Sequence, residues 1–224
     1  MISFPALVII LSVVTSKVVL DSINPPGCGV AKALGKIVDG ETIERIRMPW
    51  MVHTVTKYKI QQKYMQLACG GTILSRNFIL TAAHCVSFGY QRPWSIDVRY
   101  NSTYLEEGPI ASAKDVIRHP RFSMTTIAND IALVKLAQPL LFDKFVKPIC
   151  LPMRRLQLVN KKAFASGWGK VTEGGKSTDR LRYLETKFLP FRKCNPSFNP
   201  LVQQDVFTGT QVCARNERQG RLSG

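Results

Sequence analysis

No long stretch of this chain sustains the 3.6-residue apolar periodicity of a helix. The nearest candidate, 191–198, is limited by Pro190 before it and Pro196 within it. From Ile37 onward the chain runs instead in short segments rich in β-branched and aromatic residues, at 78–81, 94–100, 131–136 and 162–167. Such side chains pack well on a pleated surface, and the Gly, Pro and Asn residues between the segments supply chain reversals. The pattern predicts an all-β fold, either barrel or sandwich. A length of 224 residues suits one large β unit or two small barrels. The chain has no internal repeat and no low-complexity tract.

Hydrophobic residues make up 45% and charged residues 21%, which suits a packed core and excludes a disordered chain. The charge is one-sided: 31 Lys and Arg against 15 Asp and Glu, a formal net charge of +16. Basic residues gather at Lys57, Lys59 and Lys63, at Arg154, Arg155, Lys161 and Lys162, and at Arg180, Arg182, Lys187, Arg192 and Lys193. This field would attract acidic polysaccharide, anionic membrane or nucleic acid. No cluster is a continuous basic run, so a solvated basic surface is the plainer reading. No nucleic-acid-binding motif accompanies it, and nucleic acid is not an expected partner. Acidic glycans stay among the candidates.

Six cysteines permit complete pairing. They contain no Cys-x-x-Cys and no Cys/His group spaced for zinc, and His84-Cys85 lacks two further nearby ligands. Disulfides are expected, with no metal and no organic cofactor. Disulfides imply an oxidising compartment. The amino terminus agrees. Ile2 to Val14 is apolar apart from Ser3 and Ser12, too short to cross a bilayer, and followed by Val14-Thr15-Ser16 before Lys17. This reads as a signal peptide over residues 1–16, and the expected location is secreted, extracellular. No later segment is apolar enough for a membrane span. Residues 17–36, with Pro25-Pro26-Gly27-Cys28-Gly29, read as an extended linker.

His84 is the best general base in the chain, since imidazole exchanges a proton near neutral pH. Asp130 would hold the ring in one tautomer and stabilise the imidazolium. A His and an Asp so far apart prove nothing alone, and His53 and His119 read as ordinary surface or core residues. His84 differs in its surroundings. It lies in Cys69-Gly70-Gly71-Thr72-Ile73-Leu74 followed by Phe78-Ile79-Leu80-Thr81-Ala82-Ala83-His84-Cys85. Asp130-Ile131-Ala132-Leu133-Val134-Lys135-Leu136, Lys147-Pro148-Ile149-Cys150-Leu151-Pro152 and Ala165-Ser166-Gly167-Trp168-Gly169 follow in order. These motifs resemble the chymotrypsin/trypsin family of serine endopeptidases from Ile37 to about Gln219.

The resemblance implies two antiparallel six-stranded β-barrels, the second incomplete. They would lie within residues 37–224, the first at 37–145 and the second at 146–224, preceded by an activation segment at 17–36. It implies disulfides Cys69–Cys85, Cys194–Cys213 and Cys28–Cys150, although six cysteines allow about 15 pairing schemes. Lys36-Ile37-Val38-Asp39-Gly40 resembles a zymogen activation site, cut after Lys36 by a trypsin-like protease to free the Ile37 amine. Catalysis would be peptide-bond hydrolysis on protein or peptide substrates, with His84 as base then acid and Asp130 as orienter.

One part of the resemblance fails. The nucleophilic serine should follow Asp130 by about 90 residues. No Gly-Asp-Ser-Gly-Gly occurs anywhere in the 224 residues. Ser223 stands at about that distance, but Leu222 precedes it where the family has Asp. Arg221 replaces the glycine that contributes to the oxyanion hole. The serine is therefore expected to be absent and the chain as written inactive. An alternative transcript, a frameshift or an incomplete sequence would each produce this. The rival expectation is a catalytically dead homologue that binds proteins or acidic glycans. Asn101-Ser102-Thr103 is an acceptor pattern for N-glycosylation.

Overall fold

The computed structural model describes residues 23–31, 48–89, 91–170, 175, 177–190, 193, 211–216 and 222–223. The helical candidate at 191–198 lies almost wholly outside them, as do the signal segment, Lys36, Ile37 and Cys194. Six strands make the first body: β1 (Met51–Ile60), β2 (Lys63–Ile73), β3 (Phe78–Thr81), β4 (Ser95–Arg99), β5 (Ile110–Arg118) and β6 (Ala132–Leu136). They close into an antiparallel barrel in the order β1-β2-β3-β6-β5-β4. Closure leaves no open strand edge, which resolves the barrel-or-sandwich alternative for this half.

The barrel follows from period-2 alternation. Ile79, Ile96, Val98 and Val134 point inward with Val52, Ile73 and Val86, each buried. Strand β1 is buried on both faces at its start, and the reason is positional. Val52, Thr54, Thr56 and Tyr58 fill the barrel, while the alternate residues Met51 and His53 are also covered. Met51 joins a second cluster with Met48, Trp168, Leu181 and Tyr183. This cluster joins the barrel to the second body.

That second body is an antiparallel sheet of β7 (Lys162–Gly167), β8 (Arg182–Leu189), β9 (Cys213–Asn216) and β10 (Leu222–Ser223). Its order is β10-β9-β8-β7, four strands among the described residues, against six in the barrel. The Trp168 indole Nε1 donates to the Thr103 carbonyl at 2.9 Å, pinning the end of β7 to a barrel loop. Among the described residues no helix is long and apolar enough to cross a membrane.

Gly71 and Gly29 are among the glycines set by close approach. A Cβ on Gly71 would lie 2.9 Å from the Cγ2 atoms of both Ile79 and Val52. Gly29 sits at φ +65°, and a Cβ there would meet Cys150 Sγ at 3.0 Å. This second constraint belongs to residues 23–31, the described part of the leading segment, which are docked on the body. Cys28 is bonded to Cys150, the Gly29 amide donates to the Pro148 carbonyl at 2.8 Å, and Asn24 exchanges two hydrogen bonds with the Leu151 backbone. Cys69 is bonded to Cys85. Cys213 is also in a disulfide, with its partner outside the described residues.

Candidate active site

Strand pairing brings His84 and Asp130 together across 46 residues of sequence. Strand β3 runs antiparallel to β6, with Thr81 opposite Ala132. His84 lies three residues past the end of that pairing and Asp130 two residues before its start, so both emerge at one end of the ladder. His84 opens a 3-10 turn, His84–Val86, whose next residues Cys85 and Val86 are buried. The turn is held from three directions. Cys85 is bonded to Cys69 on β2, the Cys85 carbonyl accepts from the buried Thr56 hydroxyl at 2.8 Å, and Ala83 is packed in the core.

Asp130 is placed by its own loop. Asn129 takes a left-handed φ of 56°, a region asparagine tolerates better than most residues. Its side-chain amide donates to the Arg121 carbonyl at 2.9 Å, and the Ile131 carbonyl accepts from the His119 amide at 3.0 Å.

Both carboxylate oxygens of Asp130 face His84. Oδ1 accepts the His84 backbone N–H at 2.8 Å, and Oδ2 lies 2.6 Å from His84 Nδ1. The first contact fixes the carboxylate relative to the main chain. The second selects the tautomer with the proton on Nδ1, which leaves a lone pair on Nε2. Nε2 lies 3.4 Å from Cys85 Sγ. That sulfur is in a disulfide and has no proton to give, so the lone pair stays available. The Asp130 side chain is 19% exposed and that of His84 50%, so the acid is sheltered while the base is open to solvent.

Beside this pair lies an open cleft of about 760 Å³ between barrel and sheet, bounded by Trp50, Gly71, Asp130, Ile149, Phe164 and Ser166. His119 also borders it. Cys69, His84 and Cys85 bring three ligand-type atoms within 4.8 Å, but the two sulfurs are joined to each other. They offer no thiolate, so the trio fits no metal.

Ser223 lies in β10, with its backbone paired to Ala214 of β9. Asn101 follows β4 at a left-handed φ of 58°, partly exposed. His53 departs from an ordinary satisfied core histidine. It is 7% exposed and packs edge-on to Trp168 at 5.9 Å, and its Nδ1 has no hydrogen-bond partner among the described residues. Burial and the nearby Arg99 charge push its pKa below the ordinary value, while Glu106 and a hydrogen bond to the Leu105 backbone oppose this. Thr56 is the contributor that sequence reasoning missed. A threonine in a strand reads as β-propensity alone, and nothing local shows that its hydroxyl will hold the histidine turn.

A closed barrel with a histidine turn and an aspartate loop at one end of its β3–β6 ladder defines the trypsin-like serine protease class. The Trypsin family matches residues 37–223, and the chain belongs to that family. Serine proteinase stubble of Drosophila melanogaster is 33% identical over 207 residues, covering 88% of this chain and 26% of that protein. The chain thus spans about a quarter of that relative's length. Among solved structures, HL collagenase aligns with a TM-score of 0.65 at 25% identity, over 80% of this chain and 73% of that one. GrC aligns with a TM-score of 0.63 at 25% identity, over 80% and 75%.

Proposed function

We propose that this chain carries the base and orienting acid of a secreted serine endopeptidase made as a zymogen. The observation that carries the reading is the two-point grip of Asp130 on His84, at 2.8 Å to the backbone amide and 2.6 Å to Nδ1. In the proposed reaction His84 Nε2 takes the proton of an attacking serine hydroxyl as that oxygen bonds to the scissile carbonyl. The same proton then passes to the leaving amine, and water repeats the sequence to free the acid product. Asp130 stays ionised throughout. Cleavage after Lys36 by a trypsin-like protease would free the Ile37 amine, with the Cys28–Cys150 bond retaining the leading segment. The signal-like residues 1–16 and the disulfides support secretion.

A polypeptide of these 224 residues is proposed to be inactive, because it contains no Gly-Asp-Ser-Gly-Gly. That same observation favours a second reading, an inert homologue that works by binding. Reading the transcript beyond the Gly224 codon separates the two. A frame running on into Gly-Asp-Ser-Gly-Gly supports the enzyme, and an immediate stop codon in an abundant secreted product supports the binding protein.

A further inference from the structure

We propose that the shoulder formed by β4, β5 and the tip of the β1–β2 hairpin is a binding site for sulfated glycans. Between the segment before β4 and strand β5 lies a shallow cleft of about 330 Å³. Three cations line it, Arg92, Lys114 and Arg118, with one acid, Asp115.

Local structure explains why the cations converge. The β5–β6 register shifts between Ala113 and Asp115, so Lys114 is the extra residue of a β-bulge. A bulge re-aims the side chain it carries. Arg118 is steadied by donating to the Ser87 hydroxyl at 3.3 Å. Asp115 Oδ1 accepts the Val116 N–H at 2.8 Å, which engages part of its charge with the main chain. The cleft therefore presents a net positive, partly preorganised surface.

The aromatic residues make the ligand a sugar and not merely an anion. Trp94, on the cleft wall, is 63% exposed, and Tyr64 is 62% exposed. Their rings contact each other at 5.8 Å, and Lys59 Nζ lies 6.0 Å from the Tyr64 ring centre. Two open aromatic faces next to cations suit a chain that alternates apolar sugar faces with sulfate groups. The ring C–H bonds stack on the indole and phenol while the sulfates meet Arg92, Lys114 and Arg118. An acidic peptide would satisfy the cations but leave the aromatic faces in water. The net charge of +16 steers any polyanion toward the molecule, and the cleft would fix where it settles. None of the residues lining this cleft lines the one beside Asp130, so the proposal is independent of catalysis.

The test is binding of the full chain to an immobilised heparin-derived oligosaccharide across a salt series. Arg92→Ala with Lys114→Ala should weaken binding about tenfold. Removing the same charge from outside the cleft lining, Arg154→Ala with Arg155→Ala, should change it less than about twofold. Trp94→Ala should weaken it about fivefold without changing the salt slope, since no charge is lost. Asp115→Asn keeps the Oδ1 acceptor and should tighten binding. Equal losses from the charge pairs inside and outside the cleft lining, or unaltered binding by Trp94→Ala, would overturn the site. Equally tight binding of polyglutamate would overturn the glycan in favour of an acidic protein.

Discussion

His53 shows what one misplaced-looking residue does to the energetics. It occupies the outward face of β1, which the Trp168 end of β7 covers, so an imidazole sits where an apolar side chain would serve. Its lowered pKa, from burial first and Arg99 second, means the folded state resists protonation more than the unfolded chain. The unfolded chain therefore binds more protons as pH falls below the ordinary value of 6.5. Stability is full above that value and declines below it, by at most about 1.4 kcal/mol per pH unit for one group. Urea unfolding at a series of pH values from neutral to mildly acidic should show this slope, and His53→Phe should flatten it. An unchanged slope in the variant would assign the effect to carboxylates elsewhere. The catalytic candidates were legible at this scale because His84 and Asp130 sit in long, specific motifs. The role of His53 was not, because it depends on which element covers β1, and no local pattern encodes that.

At the scale of elements, β1, β2 and β3 meet closely at Gly71. Adding a Cβ there requires Val52 and Ile79 to move, since both contacts are backed by packed core. Gly71→Ala should destabilise by about 1–3 kcal/mol. Gly70→Ala should be nearly neutral, because nothing lies within 4 Å of where the added methyl would sit. Chemical denaturation of the two variants checks the contrast, and equal losses would show that backbone conformation, not space, fixes this pair. Strands β3, β4, β6 and β7 were readable from apolar runs. The β1–β2 hairpin was not. It is a two-residue connection from Ile60 to Lys63 through Gln61, which adopts a left-handed φ of 55°. Asn-Gly or Asp-Gly would have announced such a turn, and Gln61-Gln62 does not. Strand β5 was hidden for a related reason. Its bulge breaks strict alternation, and most of its residues face solvent.

At the scale of the molecule, the two bodies differ in how their strands are protected. Strand β3 has hydrogen-bonded neighbours on both sides, whereas β7 is an edge strand of its sheet among the described residues. Amide exchange should therefore be slower at Phe78–Thr81 than at Lys162–Gly167. Equally strong protection would mean that β7 is covered by something outside the described residues. The Cys28–Cys150 tether carries its own expectation. After trypsin cuts at Lys36, the leading segment should stay with the body on a non-reducing gel and leave on reduction. Its loss without reductant would contradict the tether.

The central claim is the proposal that His84 and Asp130 act as a serine protease's base and orienting acid, and that no serine within these 224 residues is activated by them. The most direct measurement is intact mass of the full chain, cut with trypsin after Lys36 and then treated with an active-site phosphonate. The account predicts an unmodified mass, because a phosphonate bonds only to a serine activated by the base and an oxyanion hole. A stoichiometric adduct mapped to Ser223 would contradict it and make that residue the nucleophile.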